Sequence, residues 1–99
     1  MYYFYDYSVL EETIKKHYEG LEFKDAIEKL ARESHLGVAF KLKMVLVNRT
    51  NLTQNEINAL ATTLKLNGEQ IQKCFFNVVK SFETRDEFTT FYNEVMKKR

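Results

Sequence analysis

Apolar residues recur every three or four positions along most of the chain, which is the spacing of an amphipathic helix. A first helix is predicted over about residues 9–19, because Leu10, Ile14 and Tyr18 follow one another at intervals of four. The run Ser8-Val9-Leu10-Glu11 resembles a capping box, and Gly20 stands where a left-handed residue ends a helix. The first predicted element is therefore a short helix that buries its apolar stripe of Leu10, Ile14 and Tyr18.

The next two predicted helices are joined by a short break. The second spans about residues 23–33, with Phe23, Ala26, Ile27, Leu30 and Ala31 on its inner face. The run 34–37, which contains Gly37, interrupts it. The third helix, about 38–47, has only Lys41 and Lys43 as polar residues. Since one core cannot cover such a helix on all sides, part of its apolar surface is expected to face outward.

Capping signals organise the second half of the chain. Thr53-Gln54-Asn55-Glu56 and Thr84-Arg85-Asp86-Glu87 are capping boxes, and Asn67 is a further N-cap. They predict a fourth helix to about residue 66, a fifth over about 69–82 and a terminal helix over about 85–98. With no proline and only three glycines, no linker is evident. We therefore expect one all-α domain over 1–99, a compact bundle of five to six helices.

Composition and charge narrow the class of protein. The single cysteine, Cys74, cannot form an internal disulfide, and no apolar run is long enough for a membrane span. A cytoplasmic protein without a membrane partner is expected. Residues 1–31 carry four lysines against seven acidic residues, whereas residues 32–80 carry seven basic residues against three acidic ones. The basic middle is either a set of solvated helix faces or a surface for an anionic partner.

Candidate catalytic or metal-binding chemistry is not found in the sequence. Known phosphate-loop, paired-cysteine and nucleophile motifs are absent, and His17 and His35 lie on different predicted elements. Cys74 falls on the apolar stripe of a helix, which is typical of a core thiol. The sequence therefore predicts a protein that is not an enzyme and needs no metal or cofactor.

The order of elements in the middle of the chain is that of a helix-turn-helix, over about residues 23–47. In that motif the second helix enters the major groove of DNA, and the loop after it meets phosphates. The segments Tyr5-Asp6-Tyr7-Ser8, Thr50-Asn51-Leu52-Thr53-Gln54 and Ile71-x-x-x-Phe75-Phe76-Asn77 resemble the small Cro-like phage repressors of the lambda-repressor-like superfamily. This resemblance covers roughly residues 5–77. It implies a sequence-specific DNA-binding transcription regulator of a phage or mobile element, acting as a homodimer on double-stranded DNA.

The resemblance also assigns roles to residues by position. Leu42, Val45 and Leu46 would pack inward. In a DNA-binding protein, much of the affinity would come from the neutralisation of phosphates by Lys41, Lys43, Arg49 and Lys65, and binding would depend on salt. The residues that would lie on or near the groove-facing side are Val38, Ala39, Phe40, Lys41, Lys43, Met44 and Val47. The residues that would approach phosphates are Arg49, Thr50, Asn51 and Thr53.

Two alternatives remain open from the same residues. The groove-facing positions lack the Gln, Ser, Asn and Arg that usually read bases, so an exposed patch of Phe40, Met44 and Val47 would also suit a protein-binding module, such as a phage inhibitor or antirepressor of a host protein. The second alternative is a homeodomain-like module, in which a helix over residues 70–77, ending in Asn77, would contact the DNA bases. The aromatic run 2–5 and the last helix either form dimer surfaces or complete the core.

Overall fold

A computed structural model describes residues 1–37 and 39–97 of the chain. Within these ranges the fold is mostly helical, with six helices and a two-stranded sheet. In chain order the elements are β1 (Tyr2–Tyr5), α1 (Ser8–His17), α2 (Phe23–Glu33), α3 (Ala39–Leu46), α4 (Gln54–Leu64), α5 (Gly68–Phe75), β2 (Val78–Phe82) and α6 (Arg85–Lys97). Val38, predicted to lie on the groove-facing side of the third helix, and residue 98, predicted to end the last helix, lie outside the described residues. The helical class is confirmed.

Helices α1 to α5 enclose the main core. Its largest fully buried side chains come from all of these elements: Leu10, Ile14, Leu30, Leu42, Val45, Leu60 and Cys74. Full burial of one such aliphatic side chain is worth about 1.5–3 kcal/mol. The helical spacing of apolar residues therefore identified most of this core correctly.

The predicted N-terminal caps have mixed outcomes. Thr53 and Glu56 form the predicted capping box of α4, and Asn67 caps α5 in a second box with Gln70. The box predicted at Ser8 is wrong, because Ser8 is already helical and its amide donates to Oδ1 of Asp6 at 2.8 Å. At α6, the Thr84 hydroxyl accepts from the Glu87 amide at 3.2 Å.

Three helices end on a left-handed residue that is not glycine. His35, Asn48 and Lys65 have φ of 59°, 61° and 58°. After α2, the amide of His35 donates to the Arg32 carbonyl and that of Leu36 to the Ala31 carbonyl. This pair of bonds is a Schellman motif, and the same pattern follows α3 and α4. The turn between α2 and α3 is therefore set by His35 as well as by Gly37.

The prediction of an all-α fold is wrong at residues 78–82. Helix α5 ends at Phe75, and Val78–Phe82 form β2, which pairs antiparallel with β1. Tyr2 lies opposite Phe82, and a register shift falls between Phe4 and Tyr5. β-Branched and aromatic residues favour extended backbone when a partner strand is present, and the partner here is almost the whole chain away. The homeodomain-like interpretation also fails, because Asn77 lies between α5 and β2.

Helix α6 packs on one face of the sheet through aromatic rings. The ring centroids of Phe4 and Phe91 are 5.2 Å apart in an edge-on arrangement, and those of Phe82 and Phe88 are 5.8 Å apart. Phe4 and Phe82 are buried by this contact. The terminal helix and the aromatic N-terminus thus complete a second, smaller apolar layer beside the main core.

Candidate nucleic-acid interface

Helix α3 packs against α2, and one side of α3 is buried in the core. Leu42, Val45 and Leu46 are buried, as the pattern predicted. Helices α2 and α3 pack directly against each other, joined by the residues that follow the Schellman motif at His35. The position and rotation of α3 are therefore fixed by its inward residues.

The opposite side of α3 is accessible. Phe40 is 67% exposed, and Lys43 is exposed as well. Ala39, Met44 and Val47 are half-buried. The predicted apolar patch is thus centred on one ring, that of Phe40, with Lys43 three residues further along the helix.

Lys41 has a carboxylate partner. Its Nζ lies 2.8 Å from Oε1 of Glu56, which also accepts from the Thr53 amide at 2.8 Å. The hydrogen bond from Lys41 and that from the Thr53 amide hold the pKa of Glu56 below its usual value. This contact joins α3 to the capping box of α4. It also means that one predicted phosphate ligand is already engaged.

The other predicted cations are less constrained. Lys43 Nζ is 4.0 Å from a carboxylate oxygen of Glu28, and both side chains are largely exposed, so this pair contributes little. Lys65 is exposed in the left-handed position that ends α4. Because α4 has eleven residues, Lys65 lies about 16 Å along the helix axis from its start. Lys65 therefore cannot share a phosphate with Thr53.

The loop after α3 carries the remaining predicted residues. Arg49, Thr50 and Asn51 are exposed, and Arg49 Nε donates to the Tyr92 hydroxyl of α6 at 3.2 Å. Thr53 is also exposed, but its hydroxyl accepts from the Glu56 amide at 3.2 Å. Phosphate contact by Thr53 would therefore have to use a group that already caps α4.

Arg49, Thr50 and Asn51 border a groove of about 390 Å³ between this loop, β1 and α6. Arg85 and Tyr92 line it from α6. Sequence reasoning missed Arg85 as a partner of the loop. The two sequence segments are more than thirty residues apart, and no local motif signals that α6 returns to this side of the fold.

Asn48 connects the loop to the sheet. Its Oδ1 accepts from the Tyr5 amide at 2.9 Å, and its Nδ2 donates to the Tyr5 carbonyl at 3.0 Å. The Asn48 side chain thus pairs with β1 as a neighbouring strand would. This contact fixes the end of α3 relative to the sheet and α6. An asparagine after an apolar run is the sole sequence signal for it.

Two further titratable side chains, those of Cys74 and Tyr18, have pKa values that burial in the fold raises. Cys74 is buried, and burial raises the pKa of its thiol. The Tyr18 hydroxyl donates to Glu33, and burial together with this bond raises the pKa of Tyr18. Over residues 1–37 and 39–97, no group of three or more His, Cys, Asp or Glu side chains could hold a metal ion. No helix in those ranges has the length and hydropathy required to cross a membrane.

Comparison of the chain with protein-family models, with curated proteins and with solved structures finds no significant match.

Proposed function

We propose that this protein binds double-stranded DNA through α2 and α3, with α3 as the reading helix, and regulates transcription for a phage or mobile element. The observation that carries the proposal is the division of α3. Three of its residues are buried against α2 and the rest of the core, while Phe40 and Lys43 remain accessible just after a tight turn. A helix-turn-helix presents the start of its second helix to the major groove in a similar way, and this likeness supports the proposal.

The charge of the segment supports an anionic partner. Between Ser34 and Asn55 the sequence contains Lys41, Lys43 and Arg49 and no acidic residue. Cations neutralising phosphates release counterions, so binding weakens as salt rises. Lys43 and Arg49 supply this term most directly, because Lys41 is held by Glu56.

We expect the exposed side of α3 to discriminate only weakly between base pairs. Phe40 can contact a thymine methyl group, but it forms none of the bidentate hydrogen bonds that separate base pairs by about 1–3 kcal/mol each. Of the two lysines on α3, Lys41 is held by Glu56, so Lys43 is the long donor available beside Phe40. Preference for an operator would then depend strongly on DNA shape and on two copies binding together.

A homodimer would pair through the outer edge of β2. Val78 and Val79 are 43% and 56% exposed, and within the described residues β2 pairs with β1 alone, so its other edge can offer backbone groups to a second copy. Val79→Lys should then shift the protein from dimer to monomer in light scattering. Val9→Lys, on the exposed side of α1, is the matched control and should leave the mass unchanged. A monomer for the wild-type protein at high concentration would contradict this pairing.

A protein-binding module is the second candidate. The exposure of Phe40 favours it, and so does the Lys41–Glu56 pair, because this pair leaves one cation fewer for phosphates. A large exposed aromatic ring is a common anchor of protein interfaces. In that case a host protein, rather than DNA, covers α3. Phe40→Ala would then abolish partner binding, while Lys43→Ala would change it little.

The test is fluorescence anisotropy with labelled duplexes from the DNA around the gene, at about 50 and 200 mM salt, with random duplex as competitor. The proposal predicts salt-sensitive, competitor-resistant binding. Lys43→Ala should weaken binding to all duplexes, whereas Lys16→Ala, an exposed lysine on α1, should not. Absence of binding at the lower salt would refute DNA binding.

A further inference from the structure

The groove between the loop after α3 and helix α6 has the size and chemistry of a ligand site. Its volume of about 390 Å³ falls within the range of about 300–1,000 Å³ that small-molecule sites occupy. It is open to solvent along one side and is built from three elements that are distant in the sequence: β1, the loop at 48–51 and the first two turns of α6.

Two arginines give this groove positive charge. Arg49 and Arg85 both line it, and none of the described lining residues is acidic. In the part of the chain that the structure describes, neither arginine forms a salt bridge. Two guanidinium groups without carboxylate partners at one groove favour an anion there.

Arg49 is oriented for this role. Its Nε donates to the Tyr92 hydroxyl at 3.2 Å, which leaves the two terminal nitrogens of the guanidinium group available. Paired guanidinium nitrogens match the geometry of phosphate oxygens and bind them through two parallel hydrogen bonds. Tyr92 is itself held by the ring of Phe88, with the two rings nearly parallel and their centroids 6.2 Å apart.

Aromatic rings form the apolar part of the groove. Tyr2 and Tyr3 border it and are partly exposed, and Tyr2 lies 6.3 Å from Phe88 between ring centroids. Aromatic faces beside a cationic site are the surfaces on which bases stack in nucleotide complexes. We propose that this groove binds a small phosphorylated ligand with a planar ring, of the size and chemistry of a mononucleotide.

This site shares Arg49, Thr50 and Asn51 with the predicted phosphate contacts, but it does not include Phe40 and Lys43 of α3, and Arg85 and Tyr92 belong to the groove alone. A nucleotide within a DNA strand presents the same phosphate and base as a free mononucleotide, so both sources are tested. The proposal commits to the free ligand, because a volume of about 390 Å³ accommodates one nucleotide unit rather than several. The probes are AMP, adenosine and inorganic phosphate, each titrated into isotope-labelled full-length protein and followed by NMR.

The expected result is that AMP shifts the resonances of Arg49, Arg85 and Tyr92, with an affinity at least tenfold higher than that of adenosine or of phosphate. Arg85→Gln should weaken AMP binding roughly tenfold or more. Arg32→Gln, on exposed α2 surface away from the groove, should leave it unchanged. Circular dichroism of both variants checks that the fold is retained.

Three outcomes would overturn the proposal: no groove resonance moves at millimolar AMP, phosphate alone binds as tightly as AMP, or the resonances of Arg85 and Tyr92 move with duplex DNA and not with AMP. The last outcome would assign the groove to the DNA backbone. Since DNA binding is followed separately by anisotropy, failure of the nucleotide site is distinguishable from failure of the proposed function.

Discussion

The two hydrogen bonds between the Asn48 side chain and the Tyr5 backbone are expected to be a main link between the helical core and the sheet. Asn48→Gly removes the side chain that pairs with both backbone groups of Tyr5, while glycine keeps the left-handed backbone at φ 61°. Each lost hydrogen bond costs about 0.5–1.5 kcal/mol. The position is half-buried, so water replaces part of this loss. We expect the free energy of unfolding to fall by about 1–2 kcal/mol.

Lys65→Gly is the matched control for backbone effects. Lys65 ends α4 in the same left-handed conformation, at φ 58°, but it is exposed and its side chain forms no ion pair or hydrogen bond in the described structure. Glycine there relieves strain, so this variant should be as stable as wild type or more stable by up to about 1 kcal/mol. The difference between the two glycine variants therefore measures the contribution of the Asn48 side chain.

Urea unfolding followed by circular dichroism gives both free energies. A loss of about 1 kcal/mol corresponds to a fall in Tm of about 4–8 °C for a domain of this size. Asn48→Asp keeps the acceptor for the Tyr5 amide but sets a carboxylate oxygen against the Tyr5 carbonyl, so it should be no more stable than Asn48→Gly. If Asn48→Gly gains as much stability as Lys65→Gly, the reasoning about this contact is refuted.

Three further predictions concern other contacts. Glu56→Gln keeps an acceptor for the Thr53 amide but removes the negative charge that pairs with Lys41, so it should lower stability by about 1 kcal/mol at neutral pH. Because the folded-state pKa of Glu56 is lowered, this difference should be present above the usual carboxyl pKa and shrink as pH falls through the folded value; a pH-independent difference in urea unfolding would contradict it. Burial raises the pKa of Tyr7 to about 12, so the folded state favours the neutral phenol. Stability should therefore hold below the ordinary tyrosine pKa of 10.0 and fall as pH rises from there towards about 12, and Tyr7→Phe should reduce that alkaline loss when unfolding is compared across this range. Phe82→Ala should detach α6 from the sheet at a cost of about 3–5 kcal/mol, seen as loss of near-ultraviolet circular dichroism; an unchanged spectrum and Tm would contradict this role of the ring.

The helices were predictable because their signals are local. In α4 the Thr53–Glu56 capping box and the spacing of Ile57, Leu60 and Leu64 act within single turns, and the structure has the helix where they predict it. The inward residues of α3 were predictable for the same reason. Their burial follows from helical periodicity, which does not depend on the rest of the fold.

The sheet and the groove were not predictable because they depend on distant contacts. Val78, Val79 and Phe82 also fit a helical stripe, and what selects the extended form is pairing with Tyr2–Tyr5 at the other end of the chain. The Lys41–Glu56 pair arises from the packing of α3 against the start of α4. Sequence alone therefore predicted helix α3 and its buried side, but not that Lys41 on it is already paired.

We propose that DNA contacts α3, and NMR of isotope-labelled protein during titration with duplex DNA tests this contact residue by residue. The largest shifts are expected on Phe40 and Lys43 of α3 and on Arg49 in the loop after it, and Lys43→Ala should weaken binding at low salt more than Lys16→Ala does. DNA-induced shifts that leave α3 unperturbed, or no binding at low salt, would rule out α3 as the DNA-binding surface.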